Sequence, residues 1–357
     1  MSVPTLFASL PVCYHRNMEQ IKYWVALGRV RLLGTARFRR LEAFFGEAKN
    51  IWQGSLSELK AAGMEDRVAK QIIAARDKVS PDDEMAKLAS SGVKAVNWHH
   101  PDYPSRLKEI HDPPPVLYYK GELLASDERS VAVVGTRSPT TYGREVTANL
   151  TADLARNCIT IVSGLALGIE GISHRAALDT GERTLAVVAN GLDIVYPKEQ
   201  ASLSQRISER GAVVSKVPLG VRPDTRSFPL RNRLISGISL GNLVVEAGEA
   251  SGARWTVYHA LEQDREVFCV PGSIFSPASH LTNRLIQEGA KLVSSANDVM
   301  EELNLSVVGP QIEMRLAQES DPELSVNDDG ESKLLGQLDH EPIHIDDIRR
   351  RASMPIY

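Results

Sequence analysis

Arg222, Arg226, Arg231 and Arg233 lie within twelve residues of one another, with Phe228 and Asn232 among them. A guanidinium pairs oxyanions two oxygens at a time, and an aromatic face stacks on any flat ring. This run suits a phosphate-bearing ligand. A plainer arrangement of the same residues puts Phe228 and Leu230 in the core and lets the arginines bridge carboxylates. A second group is Gly135-Thr136-Arg137-Ser138-Pro139-Thr140-Thr141-Tyr142-Gly143, a tight turn with hydroxyls and an arginine just ahead of a helical stretch. Helix N-termini carry free N–H groups and partial positive charge, which suits an anion. Ordinary capping by Ser138 or Thr141, with Arg137 solvated, is the alternative. A third group, Ser163-Gly164-Leu165-Ala166-Leu167-Gly168, has two glycines four apart. They permit close approach of a ligand to the backbone, or close packing of a helix on a sheet. Glu246-Ala247-Gly248-Glu249-Ala250-Ser251-Gly252 and Val270-Pro271-Gly272-Ser273 are two further turns of the same kind.

Several chemistries are absent. No Gly-x-Gly-x-x-Gly follows Gly135, and no Gly-x-x-x-x-Gly-Lys-Ser/Thr occurs, so dinucleotide and P-loop fingerprints are both missing. His174 has no nucleophile elbow near it and reads as structural, and His99-His100 reads as a solvated loop. No His/Asp cluster has metal spacing, and no metal or cofactor is expected. The three cysteines, Cys13, Cys158 and Cys269, fit no zinc or disulfide spacing and point to a reduced, cytoplasmic setting. No apolar run approaches the ~18 residues of a membrane span, and the N-terminus lacks a secretory pattern.

The positioning elements are legible in the periodicity. The 357 residues are 43% hydrophobic and 24% charged, a globular balance for roughly two to three domains. The net charge of −4 hides a gradient: residues 1–80 carry 13 Lys/Arg against 7 Asp/Glu, whereas residues 306–357 carry 5 against 11. A polyanion would therefore meet local patches and not an overall field. Residues 1–80 read as a small helical domain. Two of its stretches, Val30 to Phe38 and Leu59 to Ile73, have a helix-hairpin-helix pattern that either offers N–H groups to a phosphate or only makes turns. Pro81 to Pro115 reads as a connector. From Ser130, apolar runs alternate with helical stretches: Val131–Val134, Ile159–Val162, Thr184–Val188, Ala212–Val217, Leu243–Val245, Val267–Val270 and Lys291–Val293. Such alternation predicts an α/β fold, a parallel sheet covered by helices on both faces. Ligands of such sheets sit beyond the carboxyl ends of the strands, where all the turns above fall. Residues 306–332 read as an acidic linker. Residues 333–357 read as the opening of a further module too short to bury a core.

Those turns, with Phe228-Pro229-Leu230-Arg231-Asn232-Arg233 between them, resemble the DNA-processing protein A family, DprA or Smf, over about residues 100–305. Tyr103-Pro104 through Pro113-Pro114-Pro115-Val116-Leu117-Tyr118-Tyr119-Lys120-Gly121 resembles that family's opening segment. The resemblance implies a Rossmann-like, doubly wound, mostly parallel sheet in residues 81–305. It also implies a sterile-alpha-motif or helix-hairpin-helix-like domain before the sheet and an incomplete winged-helix-like segment after it. It implies a non-enzymatic single-stranded-DNA binder of natural transformation that protects incoming strands, helps load the RecA recombinase and forms homodimers. Helices around Trp255–Leu261 and Leu281–Ile286 are the expected dimer contacts. The DNA-binding residues it implies are Gly135, Thr136, Arg137, Ser138, Ser163, Gly164, Gly168, Arg226, Phe228, Arg231, Asn232, Arg233, Ser251 and Gly252. The competing reading is an enzyme or sensor acting on a nucleotide derivative. Related Rossmann-like phosphoribohydrolases use a Pro-Gly-Gly-x-Gly-Thr turn, which Pro271-Gly272-Ser273-Ile274 lacks. Four positions depart from the family pattern: Glu170 for Asp, Leu281 for a Gly at a turn, and Arg254-Trp255 for small or aliphatic residues.

Overall fold

The computed structural model describes residues 12–305; the expected linker (306–332) and winged-helix-like segment (333–357) lie outside the described residues. Apolar residues at three- and four-residue spacing make the first part helical: α1 (Val12–Leu27), α2 (Thr35–Phe45), α3 (Ala48–Gln53), α4 (Leu56–Ala61), α5 (Asp66–Arg76) and α6 (Pro81–Ser90). Their starts are chemically marked. Ser55 and Glu58 form a reciprocal capping box at α4, and Ser80 caps α6 ahead of Pro81. Both hairpin stretches make side-chain contacts within the protein. Thr35, the first residue of α2, donates its hydroxyl to the Pro113 carbonyl at 2.9 Å. The start of α5 holds Asp66, bridged by Lys60 and Lys70.

The connector contains structure. After α6 come β1 (Lys94–Asn97) and α7 (Ser105–Glu109), and then β2 (Val116–Gly121). The alternating region follows as β3 (Ser130–Val134), α8 (Thr141–Arg156), β4 (Thr160–Gly164), α9 (Ile169–Asp179), β5 (Thr184–Val188), α10 (Ala201–Arg210) and β6 (Ala212–Ser215). It continues as α11 (Ser227–Ile238), β7 (Gly241–Val244), α12 (Ala253–Glu262), β8 (Glu266–Cys269), α13 (His280–Gln287), β9 (Lys291–Leu292) and α14 (Ala296–Glu302). The nine strands form one sheet in the order β1-β2-β6-β5-β4-β3-β7-β8-β9. β3 to β9 pair in parallel, whereas β1 with β2 and β2 with β6 are antiparallel. The architecture is α/β and doubly wound. The chain winds outward from β3 to β6 and then returns to β7 on the other side of β3. That reversal opens a crevice at the carboxyl ends of β3 and β7.

Alternation along the buried strands splits the core between the two faces. Val131, Val133, Ile161, Leu243 and Phe268 pack with Leu150 and Leu154 of α8 and Val299 of α14. Ala132, Val134, Val162 and Val244 face the other way, into a larger cluster that also takes in Leu234 and Val257. This cluster runs on into the helical segment. The Trp24 and Phe38 rings stack with centroids 4.6 Å apart, and Trp98, just after β1, meets both edge-on. A polar tie reinforces the join. Arg29 lies 2.5 Å from the Glu84 carboxylate and donates to the Leu219 carbonyl at 2.7 Å. It thereby fastens α6 to the segment between β6 and α11, where the Asp193 carboxylate also accepts the Gly220 N–H.

Candidate nucleic-acid interface

A crevice of about 650 Å³ lies at the switch point, lined by Gly135, Thr136, Arg137, Glu170, Phe228, Arg231, Asn232, Ser251, Gly252 and Trp255, among others. The β3–α8 turn is fastened to the end of β7. The Glu246 carbonyl accepts the Thr136 N–H at 2.7 Å, and the Glu246 carboxylate accepts the Thr140 N–H at 2.9 Å and the Thr140 hydroxyl at 2.5 Å. Thr140 in turn accepts the Gly143 N–H, so it caps α8 and neither Ser138 nor Thr141 does. The expectation that the N–H groups of α8 hold an anion is corrected by this geometry, because a buried carboxylate already occupies that helix start. What the turn offers instead is Arg137. Its side chain is exposed, and among the described residues no carboxylate pairs with it.

Arg231 differs. It is 5% exposed, donates from Nη1 to the Val187 carbonyl at 2.6 Å and has Glu170 at 3.7 Å. Burial pulls the guanidinium's pKa down and Glu170 opposes the shift. Glu170 also accepts the Ala166 N–H at 2.9 Å. Arg231 is therefore a charged floor of the crevice, anchored at Nη1 on the Val187 carbonyl, with its Nε buried and without a hydrogen-bond partner. Gly164 is its seat: a Cβ there would overlap the guanidinium, so this glycine serves an arginine and not a ligand. Gly168 takes φ +78° and lies against the Thr136 and Arg137 carbonyls, which favours glycine and packs the α9 start onto the Arg137 turn.

Other expected residues sit elsewhere. Arg233 turns away from the crevice, donating to the Asp112 carbonyl and lying 2.8 Å from its carboxylate. Ser163 is buried and donates its hydroxyl to the Val133 carbonyl at 2.5 Å. Ser138 is exposed, with its N–H on the Thr136 hydroxyl. Arg226 is exposed at the start of α11, next to Asp224. Leu281 is no turn residue; it lies in α13, buried with Leu285, so that helix turns its apolar face inward. Phe228 is half-buried between two cations, its ring centroid 5.6 Å from the Arg137 guanidinium and 5.9 Å from that of Arg231. Tyr196, unremarked in the sequence, tilts against Phe228 at 6.0 Å and lines with it a narrower recess of about 110 Å³. Glu246 and Thr140 were equally hidden, since their pairing spans 106 residues. α12 starts without an acidic residue in its first turn, whereas at the start of α11 the Asp224 carboxylate accepts the Arg226 N–H.

His174 is fully buried behind this site. Nε2 donates to the Gly164 carbonyl at 2.7 Å, and Nδ1 lies 2.6 Å from the Thr184 hydroxyl. Burial lowers its pKa to about 4 from 6.5. Below pH 6.5 the unfolded chain takes up a proton that the folded chain refuses, so stability present above that pH is lost as pH falls toward 4. The loss is roughly 3 kcal/mol at about 1.4 kcal/mol per pH unit. Urea unfolding of the wild type across this window should show the decline, and His174→Gln should flatten it.

The family model for DNA recombination-mediator protein A matches residues 94–304. The chain is 44% identical over 220 residues to the DNA processing protein DprA of Bacillus subtilis, covering 61% of this chain and 74% of that protein. It is 35% identical over 294 residues to the protein Smf of Synechocystis, covering 80% and 73%. Among solved structures, DprA from Streptococcus pneumoniae superposes with a TM-score of 0.68 at 33% identity, over 79% of this chain and 97% of that one. DNA processing protein A from Helicobacter pylori, solved for its single-stranded DNA binding mode, gives 0.54 at 28% identity, over 60% and 96%. With its doubly wound sheet and its strand-end turns gathered on one crevice, the chain belongs to the DNA recombination-mediator protein A family.

Proposed function

We propose that the crevice binds single-stranded DNA with little sequence preference, as part of DNA processing in transformation and recombination. The observation that carries this reading is Arg137: an exposed, unneutralised guanidinium held on a rigid turn beside an aromatic ring. Near it, Glu170 has Arg231 as its counter-charge and Glu246 accepts from Thr140, so neither carboxylate forms an ion pair with Arg137. Phosphate pairing by Arg137, Arg226 and Arg254 supplies affinity, and Phe228 supplies a sequence-tolerant stacking face. The single-stranded DNA binding mode of the Helicobacter pylori relative supports the same ligand. No chemical step is assigned. Among the described residues Glu170 is the one carboxylate lining the crevice, and it is held by Ala166 and Arg231. Delivery of the strand to a RecA-type recombinase and self-association through the sheet region complete the reading. Tyr258 and Leu261, both exposed on α12, are available for a protein contact, whereas Leu281 and Leu285 of α13 are buried within the chain. Among the described residues no helix is long and apolar enough to cross a membrane.

The test is a titration of matched single- and double-stranded oligonucleotides at several salt concentrations. Single strands should bind more tightly. With about three phosphates neutralised, log affinity should fall with log salt at a slope of roughly −2. Equal affinity for duplex, or a flat salt response, would overturn the reading.

A further inference from the structure

Trp255 stands on the wall of the crevice that α12 provides, whereas Phe228 stands on the wall that α11 provides. The two walls are joined where Asn232 donates to the Gly252 carbonyl at 3.4 Å. Of the four tryptophans, Trp24, Trp52 and Trp98 are 4–9% exposed, and Trp255 is 41% exposed. A large apolar ring left in water at the mouth of a cavity has unused stacking area. The indole is not loose. Tyr258 meets it edge-on at 6.2 Å, and the Arg254 guanidinium lies 5.5 Å from its centroid. That places a cation beside the ring, as Arg137 is placed beside Phe228. The crevice thus repeats one unit, an aromatic ring with an exposed arginine, on its two walls.

We propose that Trp255 is a second base-stacking face of this site and Arg254 its phosphate partner, so that a single strand is held at two bases instead of one. This rests on the single-strand reading of the crevice and goes beyond it in assigning the ligand contact to a position where the family pattern has small or aliphatic residues. A protein contact is the other use of an exposed tryptophan. Trp255 lies in the crevice itself, whereas Tyr258 and Leu261 follow it on the same helix without lining the cavity. The strand is therefore the occupant that the geometry favours.

The exposure pattern supplies the test. Intrinsic tryptophan fluorescence of the full chain is titrated with oligodeoxythymidine, because a base stacked on an indole quenches it and the other three tryptophans are shielded. Quenching should saturate with binding. Trp255→Phe should bind within about threefold of wild type and lose the quenching. Trp255→Ala should weaken binding about tenfold with the salt slope unchanged, and Arg254→Ala should make the slope shallower. Circular dichroism checks that each variant is folded. If Trp255→Ala binds like wild type while Arg137→Glu fails to bind, the second stacking face is wrong and the crevice reading stands. If Arg137→Glu also binds like wild type, the crevice reading itself fails. A change of molar mass in Trp255→Ala without a change in affinity would assign the ring to a protein contact and overturn the proposal.

Discussion

Arg137→Glu should weaken single-strand binding at least tenfold at moderate salt, with Arg137→Ala losing less, and neither should move the unfolding midpoint. The guanidinium has no carboxylate partner among the described residues, so its removal breaks no internal ion pair, and exposed charges contribute little to stability. Its charge faces the ligand. Reversal deletes an attraction and adds a repulsion at the same place, each on the order of 3 kcal/mol at an effective dielectric near 20 and about 5 Å. The turn is held at Thr136 and Thr140 by Glu246, so the new carboxylate cannot retreat with the backbone. Filter binding at two salt concentrations, beside a urea melt, checks both halves. A folded Arg137→Glu protein with wild-type affinity would place the ligand elsewhere.

Arg231→Ala should do the reverse, costing about 3–5 kcal/mol of stability. Glu170 would remain in its buried place without a counter-charge, the Val187 carbonyl would lose its donor, and the space over Gly164 would be left empty. Glu170 keeps the Ala166 N–H, and the ion-pair distance is long at 3.7 Å, so the lower end of that range is expected. Replacing both partners, Arg231→Met with Glu170→Gln, should recover most of the loss, because no uncompensated buried charge remains. Urea unfolding of the two variants beside wild type checks this. Two arginines of one crevice are thereby separated, one read out in binding and the other in folding.

The sheet and its strand-end turns were legible because buried parallel strands need continuous apolar runs, and Val131–Val134 and Thr184–Val188 are such runs. Arg137 was legible because it follows the first of these directly. β1 was not. Lys94–Asn97 is short and sits among prolines, and it becomes a strand only because β2 offers it an edge. The fates of Arg231 and Arg233 were half legible. Two residues apart on a helix point to nearly opposite sides, so the pair cannot both face one ligand. Which one faces the crevice depends on Gly164 and Asp112, 67 and 121 residues away in the chain. The cap at Thr140 was hidden for the same reason, since it is completed by a carboxylate from another strand.

Arg29 gives the first helices a stake in the crevice. The segment it secures at Leu219 runs on through 220–226 into α11, which carries Phe228. A ligand that quiets that segment should make the Arg29 contact, and with it the turn between α1 and α2, open less often. Thermodynamic reciprocity makes the effect equal in both directions. Amide-hydrogen exchange in α1, α2 and α6, helices that line no part of the crevice, should therefore slow when it is occupied.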